Sequence, residues 1–198
     1  MASMDSGKAA TFTQQARRDQ IIDMTIALVD EKGYAGVSLS GIAERAGITK
    51  AAVLYHFSTK AAVVEAAYQH VLQLLVAHVG KAVDDAGPAQ APEAYVRSML
   101  RHLRENRQHT RMMIEAMSGH EGRRDTSARW RPLAELIRAA RAARGVDPHA
   151  SARSAAVIIG GAIDSVLLEC LNDPDFDGDA AADQLINLVR PVWSAESA

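Results

Sequence analysis

Residues 38–60 read SLSGIAERAGITKAAVLYHFSTK, and this stretch decides the fold of the first part of the chain. Ser38 can cap a short helix at its N-terminus, and Gly47 can adopt the positive φ angle that ends such a helix sharply. Thr49 can then cap a second short helix, which turns Val53 toward the first one. Two short helices joined by a tight glycine turn predict a helix-turn-helix, whose second helix enters the major groove of DNA.

Helical patterns continue through the rest of the chain. Apolar residues recur at the three- and four-residue spacing of one buried helical face, whereas the alternation that is typical of strands does not appear. The sequence therefore predicts an all-α fold of about nine helices, with Gly33 ending the first. The predicted helices cover residues 14–32, 39–46, 50–57, 60–84, 93–105, 108–117, 127–144, 150–171 and 179–192.

Composition excludes several classes of protein. The 198 residues carry a net charge of −2, and residues 1–60 hold 7 Lys and Arg against 6 Asp and Glu, so charge alone does not identify a nucleic-acid-binding domain. The single cysteine, Cys170, excludes a disulfide framework and fits a reduced compartment. The N-terminus lacks the apolar core of an export signal, and the apolar stretch at 155–163 is shorter than the roughly 20 residues that a membrane helix needs. We therefore expect a cytoplasmic protein without a membrane partner.

No arrangement of residues indicates catalysis. The sequence has no glycine-rich phosphate loop, nucleophile elbow or paired-carboxylate pattern, and its histidines lack the spacing of metal ligands. Residues 173–178, DPDFDG, match the start of a calcium loop, but Gln184 stands where that loop needs a bidentate glutamate. We therefore expect no enzymatic activity, no cofactor and no metal site.

An ordered set of residues at fixed spacing runs from the first predicted helix to the start of the fourth: Ile21-Ile22, Gly33-Tyr34, Ile42-Ala43, Ala46-Gly47-Ile48-Thr49-Lys50, Tyr55-His56-Phe57 and Lys60. With this set, the stretch from Ile21 to Lys60 resembles the N-terminal domain of the TetR (tetracycline-repressor-like) family of bacterial transcription regulators. Two positions depart from the family pattern: Thr25 stands where the first helix usually packs alanine, and Leu54 stands where the family usually has a tyrosine.

The resemblance implies a homodimeric one-component transcription regulator, most often a repressor. Such a protein binds palindromic operator DNA and is released by a small-molecule ligand. Residues 1–12 are small and polar and predict a flexible tail. Residues 13–59 then form the three-helix DNA-binding domain, and residues 60–198 form a helical ligand-binding and dimerisation domain. The alternative is a ligand- or partner-binding helical dimer without sequence-specific DNA binding, which the near-neutral first 60 residues and Leu54 would favour.

Physics and the resemblance together assign the DNA contacts. Lys50 is suited to a guanine contact, Ala51 permits close approach, and Leu54 can meet a thymine methyl group. The contacts to phosphate fix register without reading sequence, so part of the specificity is expected from DNA shape. The predicted phosphate-binding residues are Ser38, Ser40, Thr49, Tyr55, His56 and Lys60, although His56 can instead simply cap its helix.

Residues 152–171 are apolar on nearly every helical face, which is typical of a buried helix. By family resemblance this helix and the last one form the dimer interface, and the alternative is a core helix within one subunit. The predicted interface residues are Ile159, Ile163, Val166, Leu167, Leu185, Leu188, Val189 and Val192.

A cluster of methionine and other apolar residues on the middle helices suits an adaptable pocket for an apolar or amphipathic effector. Ordinary core packing explains the same residues. Asp164, within the apolar helix, can bind a ligand cation or pair with an arginine. The predicted pocket residues are Met99, Leu103, Met112, Met113, Met117, Trp130, Leu133, Ile137 and Asp164.

Overall fold

The computed structural model describes residues 5–118, 127–147 and 151–194, with side chains described from Thr13 to Glu115 in the first range. Every regular element among these residues is helical, which confirms the predicted all-α fold. The helices are α1 (Asp5–Gly36), α2 (Leu39–Arg45), α3 (Lys50–His56), α4 (Lys60–Ala86), α5 (Ala91–Glu105), α6 (Arg107–Ser118), α7 (Ser127–Ala142), α8 (Ala152–Asn172), α9 (Gly178–Val189) and the single turn α10 (Pro191–Ser194).

Helix α1 differs from the prediction at both ends. Gly33 has φ 66° and ψ 172°, so the helix proper stops at the predicted glycine and one further turn follows it. Residues 5–12, predicted to be a flexible tail, are instead helical, and residues 1–4 lie outside the described residues. Adding turns to an established helix is easier than starting one, so these residues can continue α1.

The first compact unit comprises Met1–Gln73 together with Gln108–His120. Its core is built from the apolar faces of α1, α2, α3 and the first half of α4. Met112, on α6, is fully buried in the same core, so α6 belongs to this unit and the division falls within α4, not at residue 60 as predicted. The buried core includes Ile21, Ile22, Ile26, Val29, Ile42, Val53, Phe57, Val63, Val71 and Met112.

The second unit comprises Leu74–Arg107 and Glu121–Ala198, in which α5 packs against α7, α8 and α9, and α7 packs against α8. Arginines of α5 pair with acidic residues of α9: Arg104 donates two hydrogen bonds to Asp179, of 2.5 and 2.8 Å, and Arg97 contacts Asp183 at 2.6 Å. These pairs join residues 97–144, which hold 12 arginines against 5 acidic residues, to residues 145–198, which hold 9 acidic residues against 2 arginines. Part of the charge that the sequence separates is therefore balanced inside one unit.

Helix α8 is by length and composition apolar enough to cross a membrane, with a mean hydropathy of 1.8 over an 18-residue window. One such helix is weak evidence for a membrane span, because core helices of water-soluble proteins have the same composition. Only 28% of that window is buried in the structure. Much of the apolar surface of α8 is therefore left uncovered within the chain.

Candidate nucleic-acid interface

The helix-turn-helix is built by the local signals that the sequence contains. The Ser38 hydroxyl accepts a hydrogen bond of 3.0 Å from the Gly41 amide, which caps α2. Gly47 adopts φ 64° in the turn, and the Thr49 hydroxyl accepts a hydrogen bond of 3.1 Å from the Ala52 amide, which caps α3. Both predicted caps and the predicted glycine turn are confirmed. Each capping oxygen accepts its bond, so each hydroxyl hydrogen is still available to donate to a phosphate.

The inner faces of α2 and α3 are fixed by full burial. Ile42 and Val53 have no exposed surface, and Ala43 lies between them with a side chain small enough for the helices to cross closely. Thr25, the unusual residue on α1, is also buried, and its hydroxyl donates a 2.8 Å hydrogen bond to the Ile21 carbonyl. That bond satisfies the hydroxyl inside the core, so threonine replaces alanine here without leaving a buried polar group unpaired.

The outward face of α3 carries the predicted reading residues. Lys50 and Ala51 are exposed, as are Leu54 and Tyr55, with 43% and 72% of their surfaces accessible. Ser40 is exposed on α2. The structure thus gathers one cation, two apolar groups and a phenol on one helix face, the mixture that a major-groove reader needs. That these side chains touch DNA stays a prediction.

Tyr55 is held by His56 and by Gln14, and the sequence pattern did not single out Gln14. The Gln14 side-chain amide donates a 3.2 Å hydrogen bond to the Tyr55 hydroxyl. The His56 ring meets the Tyr55 ring edge-on, with centroids 5.1 Å apart. The phenol oxygen accepts from Gln14 and keeps its hydrogen for a phosphate. Gln14 lies 41 residues away in the chain, so no local motif could have shown this contact.

Replacing Tyr55 with phenylalanine is expected to weaken binding to every DNA duplex by about threefold to tenfold, because one hydrogen bond to phosphate is lost and no base contact changes. Equilibrium binding to a preferred and a random duplex measures both losses. Gln14→Ala, which keeps the hydroxyl and removes only its support, should have a smaller effect. A loss confined to the preferred duplex would instead make Tyr55 a base-reading residue.

Arg18 holds the end of α3 to α1. Its guanidinium donates a 3.2 Å hydrogen bond to the His56 carbonyl and lies over the Phe57 ring, 4.2 Å from the centroid. Arg18 therefore fixes the position of the end of α3. The side chain of His56 is half-buried beside this contact, and its role as phosphate ligand or helix-end residue stays open.

Lys60 begins α4 and is directed at the turn that follows Gly33. Its ammonium group donates a 3.3 Å hydrogen bond to the Ala35 carbonyl and lies 4.4 Å from the centroid of the Tyr34 ring. An ammonium group has three donors, so a phosphate contact remains compatible with this position. The predicted phosphate ligand is thus also a structural contact of the first unit.

The predicted pocket residues do not form one set. Met112 is a core residue of the first unit and Met113 packs against the same core, which corrects their assignment to a pocket of the C-terminal domain. The physical reason is that helical spacing shows which methionines face inward, but it does not distinguish a packed core from a ligand pocket. Leu103, Leu133 and Ile137 are buried in the second unit and Met99 is half-buried there, whereas the side chain of Met117 lies outside the described residues.

Polar groups of the second unit accompany these apolar residues. Asp164 pairs with Arg129 at 2.5 Å, so the arginine-pair alternative is the one that the structure contains. The Arg153 guanidinium lies over the Trp130 ring, 4.8 Å from its centroid. Tyr95, which the sequence pattern missed, is largely buried on α5, and that burial raises the pKa of its hydroxyl to about 12. A hydroxyl with this pKa stays protonated at neutral pH.

The predicted dimer residues also need correction. Four of them are buried in the core of their own unit and cannot contribute much surface to a partner: Ile159, Ile163, Leu167 and Leu185. Val166, Val189 and Val192 are half-buried, and Leu188 is 78% exposed. The apolar residues that α8 turns outward are instead Val157, Ile158 and Leu168. A helix that is apolar on every face does not reveal from sequence which face its own subunit covers.

Comparison with known sequences places the N-terminal part of the chain. Residues 21–67 match the family model described as bacterial regulatory proteins, tetR family. The HTH-type transcriptional regulator BetI of Ectopseudomonas mendocina is 36% identical over 90 residues, and BetI of Burkholderia thailandensis is 34% identical over 87 residues. Each alignment covers 44% of this chain and 44% of the relative. The chain therefore matches less than half the length of these relatives.

Comparison with solved structures extends over most of the chain. The fatty acid degradation regulator FadR from Bacillus halodurans superposes with a TM-score of 0.72 at 17% identity, covering 90% of this chain and 95% of that one. FadR from Bacillus subtilis, solved in complex with stearoyl-CoA, gives a TM-score of 0.68 at 14% identity, covering 90% and 98%. At such low identity these matches establish a shared fold.

Proposed function

Since the chain belongs, through its N-terminal domain, to the tetR family of bacterial regulatory proteins, we propose that it is a homodimeric repressor that binds palindromic operator DNA and is released by a small molecule. The observation that carries this proposal is the outward face of α3, which presents Lys50, Leu54 and Tyr55 from a fully packed helix-turn-helix. A transcription regulator of this kind works in the bacterial cytoplasm, where the operator lies.

The test is selection of bound duplexes from a random DNA library at near-physiological salt, followed by sequencing. A dimer of this fold should enrich a palindrome whose half-sites are centred about 34 Å apart, one helical turn. Binding to the enriched duplex should weaken linearly in the logarithm of salt concentration, because contacts to phosphate release counterions. No enrichment by folded, dimeric protein would contradict the proposal.

Lys50→Ala is expected to weaken binding to the enriched duplex by about fivefold to one-hundredfold, the range for losing one good base contact. Binding to random duplexes should change only slightly, since Lys50 is proposed to read a guanine edge. Equilibrium titrations on both duplexes measure the ratio. Lys60→Ala is the matched control: it removes the same charge from a proposed phosphate contact and should clearly weaken binding to the random duplex as well, which Lys50→Ala should leave nearly unchanged. If Lys50→Ala weakened binding to the enriched and the random duplex equally, the base-reading role of Lys50 would be rejected.

Dimerisation is proposed through the outward faces of α8 and α9. Val157, Ile158 and Leu168 on α8 lie exposed, and Leu188 is exposed on α9. Water-soluble proteins rarely leave a continuous apolar patch uncovered, and pairing this face with its copy removes it from water. A two-fold axis through such a face also presents two reading helices to a palindrome.

The second unit is proposed to bind the effector. Support comes from the shared fold with FadR of Bacillus subtilis, whose solved complex contains stearoyl-CoA, and from the apolar side chains that α5 and α7 contribute. Met99 and Trp130 keep partial exposure among the predicted pocket residues. These residues favour an apolar or amphipathic effector. A screen for compounds that release the protein from its selected duplex would identify the effector class.

A further inference from the structure

Glu115 on α6 contacts the turn that follows the end of α1. Its carboxylate accepts a 3.1 Å hydrogen bond from the Tyr34 backbone amide. One carboxylate oxygen also lies 3.4 Å from the point where a Cβ atom on Gly33 would stand, and Gly33 has the left-handed φ that ends the helix. Residues 34–36 form a segment that we call the Tyr34 turn. The Glu115 carboxylate thus contacts the Tyr34 turn at the point where α1 ends.

Lys60 holds the same turn through two other groups. Its ammonium donates to the Ala35 carbonyl and lies over the Tyr34 ring. The Tyr34 turn is therefore bonded to an anion from α6 and to a cation from the first residue of α4. It also leads directly into α2, because the Val37 amide donates to the Tyr34 carbonyl at 3.3 Å and Ser38 is the cap of α2.

The helix that carries Glu115 is firmly fixed in the first unit. Met112, three residues earlier on α6, has no exposed surface in the core that it shares with α1, α3 and α4. A carboxylate acceptor makes a stronger hydrogen bond to a backbone amide than a neutral acceptor does. Glu115 is therefore a rigidly presented charge with a specific backbone partner.

We propose that Glu115 is a positioning residue for DNA binding: by holding the Tyr34 turn, it sets the position of α2 and α3 relative to Lys60. This inference rests on the proposed DNA-binding function. The predicted phosphate contacts lie on both sides of the turn, at Ser38 and Ser40 and at Lys60. A specific complex must satisfy both sets at once, so a displaced turn weakens it more than it weakens random binding, in which contacts can be made in other registers.

The experiment compares Glu115→Ala, Glu115→Gln and the unsubstituted protein on the enriched duplex and on a random duplex. We expect Glu115→Ala to bind the enriched duplex about tenfold more weakly and the random duplex nearly unchanged, and Glu115→Gln, which keeps an acceptor oxygen, to lie between. Loss of a negative charge by itself should strengthen DNA binding. Glu44→Gln, an exposed position on α2, is the control for that electrostatic gain.

A second measurement observes the bond directly. Hydrogen exchange of the Tyr34 amide, measured by NMR on the free protein, should become more than tenfold faster in Glu115→Ala, because the amide loses its acceptor. Thermal unfolding of each variant establishes that it is folded at the assay temperature. If the alanine variant does not fold, the glutamine variant still provides both readouts.

Three results would overturn the inference. Variants at position 115 that follow Glu44→Gln on both duplexes would show that the turn does not position the reading helices. The inference would also be overturned if Glu115→Ala lost equal affinity for the two duplexes. It would likewise be overturned if hydrogen exchange of the Tyr34 amide were unchanged in that variant. These outcomes leave the proposed function intact so long as the unsubstituted protein binds its duplex. Failure of the unsubstituted protein to bind any duplex would overturn the proposed function and this inference together.

Discussion

Replacing Ile158 with aspartate is expected to convert the proposed dimer to a monomer and to lower affinity for the proposed operator by more than about one-hundredfold. Ile158 is 69% exposed on α8, next to the exposed Val157, and Leu168 is exposed further along the same helix. A carboxylate in the middle of an apolar interface would have to be buried unpaired, which is strongly unfavourable. A monomer engages one half-site and loses the avidity of the second, which commonly amounts to a factor of 10² to 10⁴.

Sedimentation measures the oligomeric state of this variant, and titration of a palindromic duplex measures its affinity. Val76→Asp is the matched control, because Val76 is an exposed valine of the same unit that lies on α4 and not on α8 or α9. It should remain dimeric and bind as the unsubstituted protein does. A dimeric Ile158→Asp protein would place the interface elsewhere, and a dimer broken by Val76→Asp would point to α4.

Met112→Ala is expected to destabilise the first unit by about 2–4 kcal/mol, the usual cost of deleting a fully buried methionine side chain. Met112 has no exposed surface and packs in the core around Ile42, Val53 and Val71. A residue outside the helix-turn-helix sequence should therefore determine whether the helix-turn-helix stays folded. Chemical denaturation followed by circular dichroism measures the loss.

Met113→Ala is the control for this prediction, since the neighbouring methionine is only partly buried against the same core. Its cost should be clearly smaller, because less apolar surface is lost and water can fill part of the space. Equal stabilities for the two variants would contradict the core role of Met112. A change in effector response without any loss of stability would return Met112 to the pocket that the sequence predicted.

The local elements were predictable because their signals lie within a few residues of the structure they produce. The hydroxyls of Ser38 and Thr49 accept hydrogen bonds from amides only three residues later in the chain, and Gly47 itself adopts the positive φ angle of the turn. The outward positions of Ala51 and Tyr55 follow from helical periodicity once Val53 is placed inside, because each lies two residues from Val53 and so on the opposite side of the helix. The same reasoning predicted a flexible tail at 5–12 where the structure has helix, because helix extension depends on the turns already formed.

Contacts between distant parts of the chain were decided by tertiary structure alone. Glu115 reaches Tyr34 across 81 residues, and Gln14 reaches Tyr55 across 41. No spacing rule connects such pairs, since each depends on which helix packs beside which. The assignment of α6 to the first unit has the same origin, because the sequence pattern is compatible with Met112 in a core or in a pocket. Only the packing of the neighbouring helices decides between them.

The sequence by itself determined the helix-turn-helix and its caps, together with the helical nature of the remainder. Tertiary structure alone decided which face of α8 belongs to the subunit's own core and which stays exposed at Ile158. It also decided that Arg104 and Asp179, from a basic and an acidic segment, neutralise each other. The physical reason is that periodicity states how much of a helix is apolar, whereas only packing states what each apolar or charged face meets.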